Sequence, residues 1–150
     1  MEKNGVKETV TINAAAAKCF AVVTDYANYP KWLPEFKSAE IVKRESDTVV
    51  QVEFAFSILL KKIRYTIRAE QWPDELRTHW TFVCGEMIDD TWGGWKFTAL
   101  AEQRCQVDYE AGISVNIPIS KGIANKVANL LTGTTLPRTF QALEKRARSL

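Results

Sequence analysis

From Ser38 to Val115 the chain alternates apolar and polar residues, segment after segment, with short polar turns between. Few folds accept that pattern. A period of two marks a strand with one buried and one wet face. Consecutive strands joined by tight turns pair antiparallel. The cleanest segment sets Ile63, Tyr65, Ile67 and Ala69 against Arg64, Thr66, Arg68 and Glu70. Before it, Val50, Val52, Phe54 and Phe56 share a face opposite Gln51, Glu53 and Ala55. After it, Thr78, Trp80, Phe82 and Cys84 oppose Arg77, His79, Thr81 and Val83. Trp95, Phe97 and Ala99 follow, then Cys105, Val107, Tyr109, Ala111, Ile113 and Val115. Glu45-Ser46-Asp47, Lys61-Lys62, Pro73-Asp74-Glu75 and Glu102-Gln103-Arg104 supply the turns. Gly93-Gly94 interrupts one row, and glycine inside a strand marks a bulge or a close approach by other atoms.

The flanks read differently. Val6, Val10 and Ile12 suggest a first, partly exposed strand, and Asn13 is placed to cap a helix running from Ala14 to about Thr24. A second, shorter helical segment starts at Asp25, and Pro30 and Pro34 limit it. At the other end, Ile119, Ile123, Val127, Leu130 and Leu131 recur at helical spacing after Pro118. Leu136, Phe140, Leu143 and Ala147 do the same on nearly the opposite side. Gly133 and Pro137 sit at the phase change, so a kink or break is expected between Thr132 and Pro137. The basic Lys145, Arg146 and Arg148 read as a solvated helix end. The expected order is one strand, two short helices, six strands and a long C-terminal helix. That is an α+β fold with a seven-stranded antiparallel sheet and its helices on the apolar face.

Composition narrows the function. A chain of 150 residues is expected to form a single domain, residues 1–150. With 20 basic against 18 acidic residues it carries no strong nucleic-acid footprint. There is no apolar run near the roughly 18 residues that span a bilayer, and the N-terminus does not resemble a signal peptide. Cys19, Cys84 and Cys105 are far apart and lack a C-x-x-C spacing. They read as free, reduced, packed thiols, which suits the cytoplasm.

Chemistry-bearing residues are sparse. The histidine His79 has outward parity, and no His cluster or paired Cys offers a transition-metal site. Asp90 shares the parity of Trp92, as a solvated turn acid or an acid at a cavity mouth. Gly93-Gly94 lacks the spacing of a phosphate loop. No cofactor and no catalytic residue are expected on these grounds. Ile58-Leu59-Leu60, beside Lys61 and Lys62, would touch a membrane surface, close a cavity, or simply continue the strand. Lys61, Lys62, Arg64, Arg68 and Arg77 form a basic stripe if their strands are neighbours, with Glu53, Glu70 and Glu75 among them. The large inward aromatics either pack solidly or line a ligand cavity.

Ile12-Asn13-Ala14, Asp25-Tyr26-Ala27-Asn28-Tyr29-Pro30-Lys31-Trp32-Leu33-Pro34, Gly94-Trp95 and Phe140-Gln141-Ala142-Leu143-Glu144-Lys145-Arg146-Ala147 carry a resemblance across essentially the whole chain. The sequence resembles the helix-grip fold of the START-like superfamily, and within it the polyketide cyclase/dehydrase and coenzyme Q-binding family. The resemblance implies a curved sheet wrapped around the C-terminal helix, with a cavity between them. It implies a hydrophobic small-molecule ligand of isoprenoid quinone, lipid or polyketide type. The expected ligand-binding residues are Phe54, Phe56, Tyr65, Ile67, Trp80 and Phe82 on the first strands. Trp95, Phe97 and Tyr109 join them from the last strands, and Ile123, Val127 and Leu131 from the helix. Alternatives within the resemblance are a cyclase or dehydratase using Tyr65 or Tyr109, and a ribosome-binding, toxin-like module using the basic stripe.

Overall fold

The computed structural model describes residues 4–58, 61–116, 122 and 136–150. Strand β1 (Asn4–Ile12) leads to helix α1 (Ala16–Thr24), a single 3-10 turn (Tyr26–Asn28) and the short helix α2 (Tyr29–Trp32). Six strands follow: β2 (Phe36–Arg44), β3 (Val49–Ile58), β4 (Lys61–Trp72), β5 (Arg77–Gly85), β6 (Ile88–Ala101) and β7 (Arg104–Val115). Helix α3 (Leu136–Arg148) ends the chain. The strands form one curved sheet in the order β1-β7-β6-β5-β4-β3-β2, every neighbouring pair antiparallel. This is the expected α+β helix-grip architecture. Among the described residues no helix is long and apolar enough to cross a membrane. The expected kink between Thr132 and Pro137 lies largely outside the described residues, as do Leu59 and Leu60 and the side chain of Ile58.

Register follows the alternation. Val50, Val52 and Phe54 of β3 face Ala69, Ile67 and Tyr65 of β4. Trp95 and Phe97 of β6 face Tyr109 and Val107 of β7. Each inward row therefore meets another inward row, and cross-strand packing stabilises the sheet. Helices α1 and α3 cover the β6–β7 end: Cys19, Val22, Val23, Leu143 and Ala147 pack with Ile12, Phe97, Cys105 and Val107. On α3 the residues Leu136, Phe140, Leu143 and Ala147 are buried, as their spacing predicts. Tyr26 and Tyr29 cover the β3–β4 end with Val50, Val52, Phe54 and Ile67.

Two local expectations are corrected, and an open alternative at Gly93-Gly94 is decided. Cys84 is exposed, although Cys19 and Cys105 are buried. The reason is an extra residue in β5: Ile67 faces Phe82 while Thr66 faces Cys84, so Val83 has no partner. One inserted residue reverses parity beyond it, and Cys84 follows Thr66 to the outer face. Asn13 does not cap α1. The helix begins two residues later, after Ala15, which makes no side-chain cap. The Asn13 backbone N–H instead donates to Glu144 Oε2 on α3 at 2.7 Å. Gly93-Gly94 is no bulge: pairing to both neighbours runs through it unbroken. It is a site of close approach, because a Cβ on Gly93 would overlap the Trp80 ring and the Glu110 carbonyl. Trp92 lies on the outer face, where the missing side chain of Gly112 makes room for its indole. Asp90 shares that outer parity, away from the cavity mouth.

Of the basic stripe, Lys62, Arg64, Arg68 and Arg77 share the outer face, since β4 and β5 are neighbours, while the side chain of Lys61 lies outside the described residues. Acids are interleaved with it. Arg64 lies 3.6 Å from Glu53, and Arg68 lies 3.0 Å from Glu45 and 2.7 Å from Glu70. Arg77 lies 3.5 Å from Glu75, with its guanidinium over the Trp72 ring.

Candidate functional site

Between the two helical covers the concave face is not filled. A cavity of about 140 Å³ remains, walled mainly by aromatic side chains from β3 to β7 and from the segment between α1 and β2. The alternation that builds the strands places each wall. Phe54 and Tyr65 sit opposite each other with ring centres 5.7 Å apart. Trp95 and Tyr109 do the same at 4.4 Å. Phe140 of α3 closes that end, edge-on to Trp95 at 6.2 Å and to Tyr109 at 5.9 Å. At the other end Tyr29 stacks on Phe54 at 5.5 Å and meets Phe36 edge-on at 5.6 Å. Glu35 and Thr139 bring polar character to the lining, and Arg138 holds the Glu35 carboxylate at 3.1 Å.

Most polar groups in the wall are already bonded. Trp80 lies over Gly93 and donates its Nε1–H to Thr91 Oγ1 at 3.4 Å. Thr91 in turn donates to the Gly112 carbonyl at 2.8 Å. Tyr29 donates to Val23 O at 2.6 Å, and Tyr26 Oη accepts from Gln71 Nε2 at 3.3 Å. Tyr65 and Tyr109 differ: among the described residues neither phenol oxygen meets a hydrogen-bond partner. Burial pushes both phenols well above the ordinary range, and Tyr109 raises Tyr65 further. Desolvation disfavours the charged form, so both remain neutral donors at physiological pH. They can hydrogen-bond an oxygen, and they cannot serve as phenolate bases.

Of the sequence-predicted residues, Phe54, Phe56, Tyr65, Ile67, Trp80, Trp95 and Tyr109 line this cavity. Phe97 and Phe82 do not. Phe97 is buried beneath α1 and α3 with Cys105 and Val107, beyond Trp95 on the same row. Phe82 packs with Ile63 and Ile88 near the far end of β5. Both have the right parity, but parity gives the face and not the position along the strand. Ile123, Val127 and Leu131 lie outside the described residues. Tyr29 at the start of α2, Leu33 and Glu35 in the connection after it, and Phe36 at the start of β2 also line the cavity, on a stretch too short and mixed for either periodicity to reach. The aromatic run from Tyr26 to Phe36 was the available signal.

An antiparallel sheet folded around a C-terminal helix, with an aromatic cavity between, defines a START-like helix-grip protein. The family profile described as polyketide cyclase/dehydrase and lipid transport matches residues 4–148, and the chain belongs to that family. No curated protein matches it in sequence. Solved structures share the fold. The protein TTHA0849 of Thermus thermophilus superposes with a TM-score of 0.83 at 23% identity, covering 97% of this chain and 98% of that one. A START superfamily protein of Mycobacterium smegmatis gives 0.80 at 22% identity, covering 99% of both chains. The Zhui aromatase/cyclase of a Streptomyces species gives 0.78 at 16% identity, covering 98% of this chain and 94% of that one. Family and fold support hydrophobic ligand binding or a polyketide cyclase-type role.

Proposed function

We propose that the chain acts as one START-like domain that binds a hydrophobic small molecule of quinone, lipid or polyketide type between the sheet and the C-terminal helix. The observation that carries this reading is the unfilled aromatic cavity. Ligand sites are concave and mostly apolar, with a few placed polar groups. Seven of the sequence-predicted residues stand in its wall. The test is mass spectrometry of an organic extract of the purified protein, followed by affinity measurements with the ligand class found. Trp95→Ala and Tyr65→Ala should each weaken binding about tenfold, the effect of losing one buried aromatic contact. Unchanged affinity in both variants would remove the cavity assignment.

A second reading is favoured by the two phenols that meet no partner among the described residues. In a cyclase or dehydratase, Tyr65 or Tyr109 would donate a hydrogen bond to a carbonyl oxygen as negative charge develops there. One Tyr→Phe substitution should then abolish turnover while binding survives. Equal loss of binding and turnover would count against catalysis and leave the carrier reading in place.

A further inference from the structure

Resting on the binding reading, we propose that the cavity selects uncharged, ring-bearing ligands through a carbonyl-type acceptor held by Tyr65 and Tyr109, and turns carboxylates away. The two phenols enter from separate strands, β4 and β7, with β5 and β6 between them. Both line the same cavity.

The lining's other bonded polar side chains include Tyr26, Tyr29, Trp80 and Thr91, Glu35 paired with Arg138, and Thr78, whose hydroxyl accepts from the Trp95 backbone N–H at 3.3 Å. No side-chain N or O that is sealed from solvent among the described residues lacks a partner. The phenol oxygens of Tyr65 and Tyr109 are therefore open to the cavity rather than sealed in its wall. The free polar capacity they offer consists of O–H donors. A carbonyl oxygen has two lone pairs and can accept from both. A hydrocarbon would leave both donors without a partner, which is the larger penalty in a buried site.

Charge argues in the same direction. Among the described residues no Lys or Arg lines the cavity. His79 contributes from a strand position with outward parity, opposite Glu70 and Gly94. The nearby guanidinium of Arg138 is engaged with Glu35, itself a carboxylate in the lining. A ligand carboxylate would lose its water, gain no cation among the described residues and meet a like charge at Glu35. A ketone, quinone or amide oxygen meets none of these obstacles.

Three probes of one size separate the possibilities: acetophenone, α-methylstyrene (which replaces the carbonyl oxygen with a methylene) and benzoate. Binding is followed by the indole N–H signals of labelled protein at about pH 8, where benzoate is ionised. The expected result is that Tyr65→Phe and Tyr109→Phe each weaken acetophenone about threefold to tenfold, the effect of one hydrogen bond. The same changes should leave α-methylstyrene binding as tightly or more tightly, because each removes a donor that the hydrocarbon leaves unpaired. Benzoate should bind the unmodified protein at least about tenfold more weakly than acetophenone; this arm needs no variant to fold. Equal responses of the two neutral probes to both substitutions, or benzoate binding as tightly as acetophenone, would overturn the inference alone. Failure of all three probes to shift any indole signal would overturn the binding reading and this inference together.

Discussion

Gly93→Ala tests the cavity wall most directly. Gly93 faces inward on β6, between Trp80 of β5 and Ala111 of β7. A methyl group there would overlap two atoms of the Trp80 six-membered ring and the Glu110 carbonyl oxygen. The carbonyl belongs to the paired backbone of β7 and cannot move far. The indole must therefore lift away from the sheet, into the cavity, and lose its bond to Thr91 Oγ1. Overpacking of this kind costs about 1–3 kcal/mol. Replacing glycine returns about 0.5–1 kcal/mol of unfolded-chain entropy. The net loss is up to about 2.5 kcal/mol, with a midpoint of about 1 kcal/mol, or a Tm lower by up to about 10 °C in a domain of this size. An indole driven into about 140 Å³ should also weaken ligand binding by at least about tenfold. Thermal unfolding and a binding titration on the same preparation read both effects. Gly112→Ala is the control, since its methyl would overlap the Trp92 ring on the outer face. It should lower Tm while weakening affinity less than Gly93→Ala does, because Gly112 borders the cavity through its backbone and its methyl would point to the outer face. If Gly93→Ala melts and binds like the parent protein, Trp80 does not lie over Gly93, and the wall described here is wrong.

Leu143 is fully buried between α1 and the sheet, so Leu143→Ala should cost about 2–5 kcal/mol in urea unfolding; a loss below about 1 kcal/mol would mean that α3 does not seat there. All 4 tyrosines have phenols raised by burial, above their ordinary value of about 10 in the unfolded chain. Their folded-state preference for the neutral form leaves stability intact below about pH 10 and reduces it as pH rises further. Tyrosinate absorbance should thus appear only with alkaline unfolding, and its appearance in folded protein near pH 10 would contradict the burial. Of the three cysteines only Cys84 is exposed. A thiol reagent should label one site per native chain and all three after denaturation, and rapid native labelling of Cys19 or Cys105 would refute the packing of α1 on β7.

Strand parity was legible because side-chain direction in a paired strand depends only on counting by two. Tyr65, Ile67, Trp95 and Tyr109 face inward for that reason, and α3 shows Leu136, Phe140, Leu143 and Ala147 inward because helical spacing is as regular. Counting fails where the backbone inserts a residue. Val83 carries no mark that distinguishes it from its neighbours, yet it reverses the side of Cys84. It also fails where a group is bonded at long range. The Asn13 N–H found its acceptor on Glu144, 131 residues away, which no local capping rule can see. The cavity itself depends on three-dimensional closure. Phe97 and Trp95 share a row, and only the seating of α1 and α3 decides that one fills the core while the other borders open space. Tyr29 reached the site from the first residue of the four-residue helix α2, which is too short to show a period.

The strand order also sets the timing of assembly. β1 pairs along its whole length with β7, so Thr9 waits for Asp108 and Val10 for Val107. Glu144 and Leu150 then tie α3 to the opening segment, through Asn13 and Lys18. Among the described strands, β1 therefore finds its one sheet neighbour, β7, about a hundred residues later. Until then its hydrogen-bonding edge is open. Contacts this distant in sequence make for slow folding, because loop closure costs entropy before any packing offsets it. A nascent chain halted before β7 would hold β2 to β6 as a meander, with β1 unattached and one wall of the cavity still to come.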